Sequence, residues 1–250
     1  MARIDQADAD EGRPEVADTP APDAPRPPRV RDPRNPPDAA ARIALAAENR
    51  AKVEAADRAY AIDQGYARIS ALERGTVTPA MREIEAEDPN RQLVGFEHRL
   101  KGKDRLTEKV TKAVNEQPQL SYDNAIAVVK DTIRYTFQYP DDHYTAGVLA
   151  DCGRLEKAGF KRIDRRNTWE SPDYKGINSR WRAPESEQVL EVQFHTKASY
   201  DAKQETHVAY EKLRDPATPR GEQDRLVDYQ RQVNTRVPTP PGALGIPDYP

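Results

Sequence analysis

Val189–Thr196 reads VLEVQFHT, with Leu190, Val192 and Phe194 alternating against Glu191, Gln193 and His195. A period of two puts the apolar set on one face of a strand and the polar set on the other, and a slip of one residue would bury a carboxylate. Upstream, INSRW (Ile177–Trp181) is separated from this run by the polar RAPESEQ, the kind of loop that closes a hairpin. Matching apolar to apolar pairs Trp181 with Leu190, Ser179 with Val192 and Ile177 with Phe194. The opposite face then sets Asn178 beside Gln193 and Arg180 beside Glu191, with His195 at its end. The residues alone leave this polar face two readings. One is a solvated surface with a cross-strand Arg180–Glu191 ion pair; the other is the floor of a ligand site with a carboxylate for a metal or a proton.

The rest of the chain supplies helices for such a hairpin to pack on. Residues 1–37 hold nine of the 22 prolines and almost no large apolar side chain, which predicts a disordered leader. From Asp38, an N-cap, residues 38–87 form an Ala-rich helical arm, its second helix closed by Gly75. The catalytic-type domain spans 88–236. In it, a helix capped by Asp104 carries Leu106, Val110 and Ala113, SYDNAIAVVK is a helix, and TIRYTFQ is a strand. DDHYTAGVLADCGRLEKAG is a helix ending at Gly159, FKRIDRR is a short strand, and two helices follow the hairpin. This order predicts an α+β fold, a mixed β-sheet flanked by helices with an N-terminal helical arm. Residues 237–250 are a proline-rich tail expected to be extended.

Composition narrows the function classes. The chain has no run of 18 apolar residues and its first residues, MARIDQADADEGR, lack an apolar core, so neither a membrane span nor a conventional signal peptide is expected. The expected location is the cytoplasm, or outside the cell by way of a dedicated delivery system. Cys152 is the only cysteine, which excludes a disulfide framework, and its stripe with Tyr144, Val148 and Leu155 marks a buried thiol.

Three further segments bear charge in patterns that suit a phosphorylated ligand. HRLKGKDRLTEKVTK places Arg99, Lys101, Arg105 and Lys109 around a helix start, where several cations can offset a polyphosphate, or else form a solvated basic face. KDTIRYTF sets Asp131 at the mouth of a strand and Arg134 inside it, and an arginine in an apolar strand is costly unless it faces a site. NTWESPDYKGIN offers Tyr174 in a loop, beside Lys175 and Gly176, as a surface for a planar base or simply as an exposed tyrosine.

Taken in chain order, these segments resemble the synthetase domain of the RelA/SpoT-like alarmone synthetases, over roughly residues 90–214. The family's R-x-K-x-x-x-S-x-x-x-K is matched by Arg99, Lys101 and Lys109, with Arg105 where serine is usual. Asp131 and Arg134 look like a D-x-x-G-x-R motif shortened and without its glycine. DYKGIN is similar to G-Y-x-S-L-H, with Asn178 in the place of histidine. EVQFHT is similar to E-I-Q-I-R-T, with His195 in the place of arginine, and His207 fits a histidine of the next helix. The departures at Arg105, Asn178 and His195 point towards divergent small synthetases, secreted nucleotide pyrophosphokinases and toxin relatives.

The resemblance implies a nucleotidyltransferase-like synthetase domain that moves the β,γ-pyrophosphate of ATP to the 3′-hydroxyl of a nucleotide, or of an RNA 3′ end, and releases AMP. It assigns ATP to Arg99, Lys101, Arg105, Lys109 and Arg134, the two arginines sandwiching adenine, and Mg²⁺ to Asp131 and Glu191. Glu191 would also draw the hydroxyl proton. The acceptor would meet Tyr174, Lys175, Asn178, Gln193, His195 and His207. An immunity or delivery protein is the partner such a toxin relative implies. Two rival readings are a ribonuclease-type toxin domain using Glu191, His195 and His207, and a non-catalytic interaction module.

Overall fold

A computed structural model describes residues 39–250, so the leader and the Asp38 cap lie outside it. The chain divides into two compact units, residues 1–49 and 50–250. Of the first, the described part is the opening turns of α1 (Ala39–Leu72). All that follows belongs to the second.

In the second unit α1 begins to bury side chains at Ile62 and Ile69, which share a face at i and i+7. Gly65 lies between them where α4 (Tyr122–Val128) crosses, and a Cβ there would collide with Ile126. Gly75 does not end the helix. The chain runs through a π-helical turn, Glu73–Val77, into α2 (Thr78–Ala86), with Pro in the first turn where its missing N–H is no loss. The wide turn is held by the buried Glu73 carboxylate, which accepts from Tyr135 Oη at 2.8 Å, Arg99 Nε at 2.8 Å and the Thr78 hydroxyl. With Val77, Met81 and Ile84 also buried, the core extends well before residue 88.

The sheet has five strands in the order β1-β2-β5-β4-β3, comprising β1 (Gln92–Val94), β2 (Arg134–Tyr139), β3 (Lys161–Asn167), β4 (Ile177–Arg182) and β5 (Val189–Thr196). β2 and β5 are parallel and the other pairs antiparallel, so the sheet is mixed and the fold α+β. The hairpin register is the one the apolar pattern dictates: Trp181↔Leu190, Ser179↔Val192, Ile177↔Phe194. β1 was not anticipated, because three residues are too few to show alternation.

The apolar face receives α5 (Tyr144–Lys157), whose Tyr144 meets the Tyr139 ring edge-on at 5.9 Å and donates to Phe194 O at 2.9 Å. Cys152 is buried on that stripe with Val148 and Leu155, as its spacing predicts. The polar face receives α6 (Lys197–Leu213), which pairs with α7 (Arg220–Thr235). The tail is interrupted by a short 3-10 turn, Ala243–Gly245, and packs on the sheet edge. Tyr249 pairs with Arg165 along the outer edge of β3, Asn167 Nδ2 donates to Ala243 O and Ile246 O at 2.8 Å each, and Ala243 and Ile246 are buried. Prolines that cannot join a ladder still let the chain cover an open edge through carbonyls and small apolar groups. Among the described residues, no helix is long and apolar enough to cross a membrane.

Candidate active site

Four charged residues stand in one row across the polar face, one per strand: Arg134, Glu191, Arg180 and Asp164. The expected Arg180–Glu191 ion pair is not formed. Arg180 Nη2 bonds Asp164 instead, across the strand that the bulge between Arg162 and Asp164 realigns. The reason is burial: Asp164 is 6% exposed, and a carboxylate that far from water needs a cation more than the half-buried Glu191 does. Glu191 is left without an ion pair among the described residues, its Oε1 accepting from Gln193 Nε2 at 3.0 Å.

Beside Glu191 the sheet floor opens into a cleft of about 440 Å³, between the start of α3 (Lys103–Glu116) and one face of α6. Lys101, Arg105, Arg134 and Lys203 line it against a single carboxylate, Glu97. α3 begins two residues earlier than the sequence pattern suggested. Gly102 is its N-cap, and Asp104 lies in the first turn rather than at the cap. Lys101 N donates to Thr132 O at 2.9 Å, which fixes where the chain turns into the helix. A glycine cap brings no side-chain oxygen, so the first-turn N–H groups have no side-chain partner and present positive charge.

The other basic residues are divided between charge and scaffold. Lys109 Nζ lies 2.7 Å from both oxygens of Asp131, and Lys101 Nζ lies 3.1 Å from one of them. Burial pushes the Asp131 carboxyl up, but the Lys109 hydrogen bond and the two ammonium charges outweigh it and hold it below the ordinary 3.8. Burial conversely pulls the Lys101 amine down, against the attraction of Asp131. A carboxyl depressed in the folded state stabilises above its unfolded value and stops doing so as pH falls through the folded one. The thermal midpoints of the wild type and Asp131→Asn should therefore differ at neutral pH and converge in acid, as pH falls below 3.8 and through the lower folded value. An equal gap at both would remove the ion cluster as its source. Arg105 is exposed and pairs with Glu108 at 3.1 Å, although it reaches the cleft mouth. Arg99 is placed elsewhere: its Nε holds Glu73, and its guanidinium lies 4.3 Å from the centre of the Phe96 ring, with Arg82 at 4.1 Å from the same ring. Its backbone adjoins β2, Arg134 N donating to Arg99 O at 2.8 Å, while its side chain is engaged by Glu73 and Phe96.

On the far side of Glu191, Tyr174 is half-buried with its hydroxyl turned inward. It donates to Asn178 Oδ1 at 3.0 Å and lies 2.8 Å from His195 Nε2, whose Nδ1 is 2.9 Å from Ser199 Oγ. These contacts form a consistent chain if the imidazole is neutral, donating from Nε2 and accepting at Nδ1. Burial, and next the Lys203 charge, push His195 well below the usual imidazole range. Gly176 makes room for the ring: at φ +149° its Cβ would come 2.8 Å from His195 Cε1. His195 is 0% exposed, so it braces Tyr174 from behind and does not face an acceptor. Lys175 is likewise turned to structure, donating to Trp169 O at 2.7 Å. His207 is exposed and lines the cleft.

The sequence reading missed the wall that α6 contributes. Tyr200, Lys203 and Gln204 share with His207 the i, i+3, i+4, i+7 face that lines the cleft. That spacing was visible once His207 had been singled out. Gln193 links wall to floor, its Oε1 accepting from Lys203 Nζ at 2.5 Å and from Thr136 Oγ1 at 3.3 Å. Among the described residues no group of three or more His, Cys, Asp or Glu side chains is placed to hold a metal ion.

No family model matches the sequence. No curated protein matches it either. Among solved structures, similarity is found to small alarmone synthetase 1 from Bacillus subtilis bound to its product pppGpp. It is 15% identical and the match covers 68% of this chain and 88% of that one, with a TM-score of 0.47. Small alarmone synthetase 2 from the same organism is 12% identical, with 69% and 89% covered and a TM-score of 0.47. The Type VI effector Tas1, in complex with its immunity protein, is 18% identical, with 70% and 94% covered and a TM-score of 0.46.

Proposed function

We propose that this chain transfers the β,γ-pyrophosphate of ATP to the 3′-hydroxyl of a nucleotide, releasing AMP. The observation that carries the reading is the cleft lined by Lys101, Arg105, Arg134 and Lys203 and one carboxylate, Glu97, next to the strand position of Glu191, which has no ion pair among the described residues. A polyphosphate is the ligand such a charge balance suits, and phosphoryl-type transfer asks of a protein mainly positioning and charge stabilisation. The order of the four sequence motifs supports the same reaction.

In this scheme Lys101, Arg105 and the start of α3 hold the polyphosphate. Arg134, whose guanidinium makes no ion pair or hydrogen bond among the described residues, is free to lie against adenine, while Arg99 would have to leave Glu73 and Phe96 to join it. Tyr174 presents its ring to the acceptor base, while Asn178 and His195 fix its hydroxyl. Glu191 takes the proton of the attacking hydroxyl. The donor set suits magnesium, which takes one or two carboxylates and completes its shell with substrate phosphates and water. Glu191, with one oxygen that accepts no hydrogen bond among the described residues, would hold the ion, and the sequence resemblance adds Asp131, which Lys101 and Lys109 would have to release. When bound, the ion would offset charge on the transferred group. The ribonuclease reading loses a residue, because both nitrogens of His195 are engaged in a buried chain.

The test is to incubate the full chain with ATP, Mg²⁺ and a panel of guanine nucleotides, adenine nucleotides and RNA, and to chromatograph the products. AMP formed together with a 3′-pyrophosphorylated acceptor is the expected result. RNA cleavage without ATP consumption, or no nucleotide turnover at all, would overturn it. Tyr174→Ala should weaken acceptor binding by about one to two orders of magnitude with little change for ATP, since stacking on a base contributes roughly 1–3 kcal/mol. Calorimetric titration with each nucleotide decides this, and equal losses for both would reduce Tyr174 to a loop support.

A further inference from the structure

Lys203 differs from the two lysines at the start of α3 and within it. Lys101 and Lys109 both reach Asp131. The Lys203 ammonium has no carboxylate at ion-pair distance among the described residues; its partner is the neutral Gln193 Oε1, at 2.5 Å. It lines the cleft with Arg134, and its Nζ lies 5.5 Å from the centre of the Tyr200 ring.

A largely desolvated ammonium is costly unless an anion accompanies it. The charged groups around it do not supply one. Arg134 on β2 adds a second positive charge, His195 on β5 is neutral, and Glu191 on β5 attracts without touching. Burial, then Arg134, bring the Lys203 amine down to about 8, Glu191 acting the other way. At neutral pH it is still charged and lacks a counter-ion. We propose that Lys203 is an anion-binding residue of the cleft, its ammonium taking a phosphate oxygen of the donor's polyphosphate across from Lys101 and Arg105. The choice of a polyphosphate rests on the proposed function.

Calorimetric titration of the full chain with inorganic tripolyphosphate tests this without requiring turnover, so it can fail while AMP release stands, and the reverse. Lys203→Met should weaken binding about tenfold or more, because a charge-assisted hydrogen bond contributes more than a neutral one. Lys203→Arg should retain it. Lys197→Met, on the same helix but exposed and paired with Asp201, should leave it unchanged. The wild type should also lose affinity relative to Lys203→Arg as pH rises through about 8, because guanidinium does not titrate there. Should Lys203→Met not fold, this comparison decides. Equal affinity in the wild type and folded Lys203→Met, or matching pH profiles for the wild type and Lys203→Arg, would overturn the proposal.

Discussion

Glu191→Gln is expected to lower AMP release from ATP by at least ~100-fold with the fold intact, the usual scale for losing a general base or a metal-binding carboxylate. Glutamine keeps the shape and the acceptor oxygen that Gln193 Nε2 addresses at 3.0 Å. It removes only the charge, and no ion pair is broken by that removal. The thermal midpoint should therefore change far less than turnover does. The measurement pairs single-turnover AMP release with a thermal melt. Near wild-type turnover in a folded variant would remove Glu191 from the chemistry. A matching fall in thermal midpoint would instead make it a structural residue of the sheet.

What the sequence disclosed depended on how local the signal was. The β4–β5 register could be read to the residue because six alternating side chains leave one pairing that keeps apolar with apolar. The α5 stripe through Cys152 was as plain, being a single-element periodicity. The partners of charged side chains were not legible, since they depend on relative burial across strands distant in sequence. Arg180 had two carboxylates in reach, and only the fold shows that Asp164 is the more buried. Arg99 matched a motif by spacing, yet a glutamate 26 residues upstream, brought in by a π-helical turn, claims it. His195 alternated on to the polar face as predicted, but the loop through Gly176 and the capping box of Thr196 and Ser199 close over it. The docking of the tail was not legible for a related reason: its anchors are backbone groups, the Asp248 carboxylate and a few small apolar side chains, whose partners on β3 no composition reveals.

Asp164→Asn should lower turnover without touching substrate, through Arg180. In the row Arg134–Glu191–Arg180–Asp164, the arginine is the cross-strand neighbour of Glu191 and is held off it by Asp164. Neutralising Asp164 leaves Glu191 as the only carboxylate in that row, so Arg180, one-third exposed at 31%, should turn to it. A charge-assisted hydrogen bond contributes about 1.5–3 kcal/mol, and dislodging it before Glu191 can accept a proton or a metal should slow the reaction roughly 10- to 100-fold. Adding Arg180→Gln to Asp164→Asn takes away the competing cation along with the carboxylate it served, and most of the lost rate should return. If Asp164→Asn keeps wild-type turnover, or if the double variant is no faster than the single one, Glu191 is not kept free by this pair and the charge row is only a stabilising feature of the sheet.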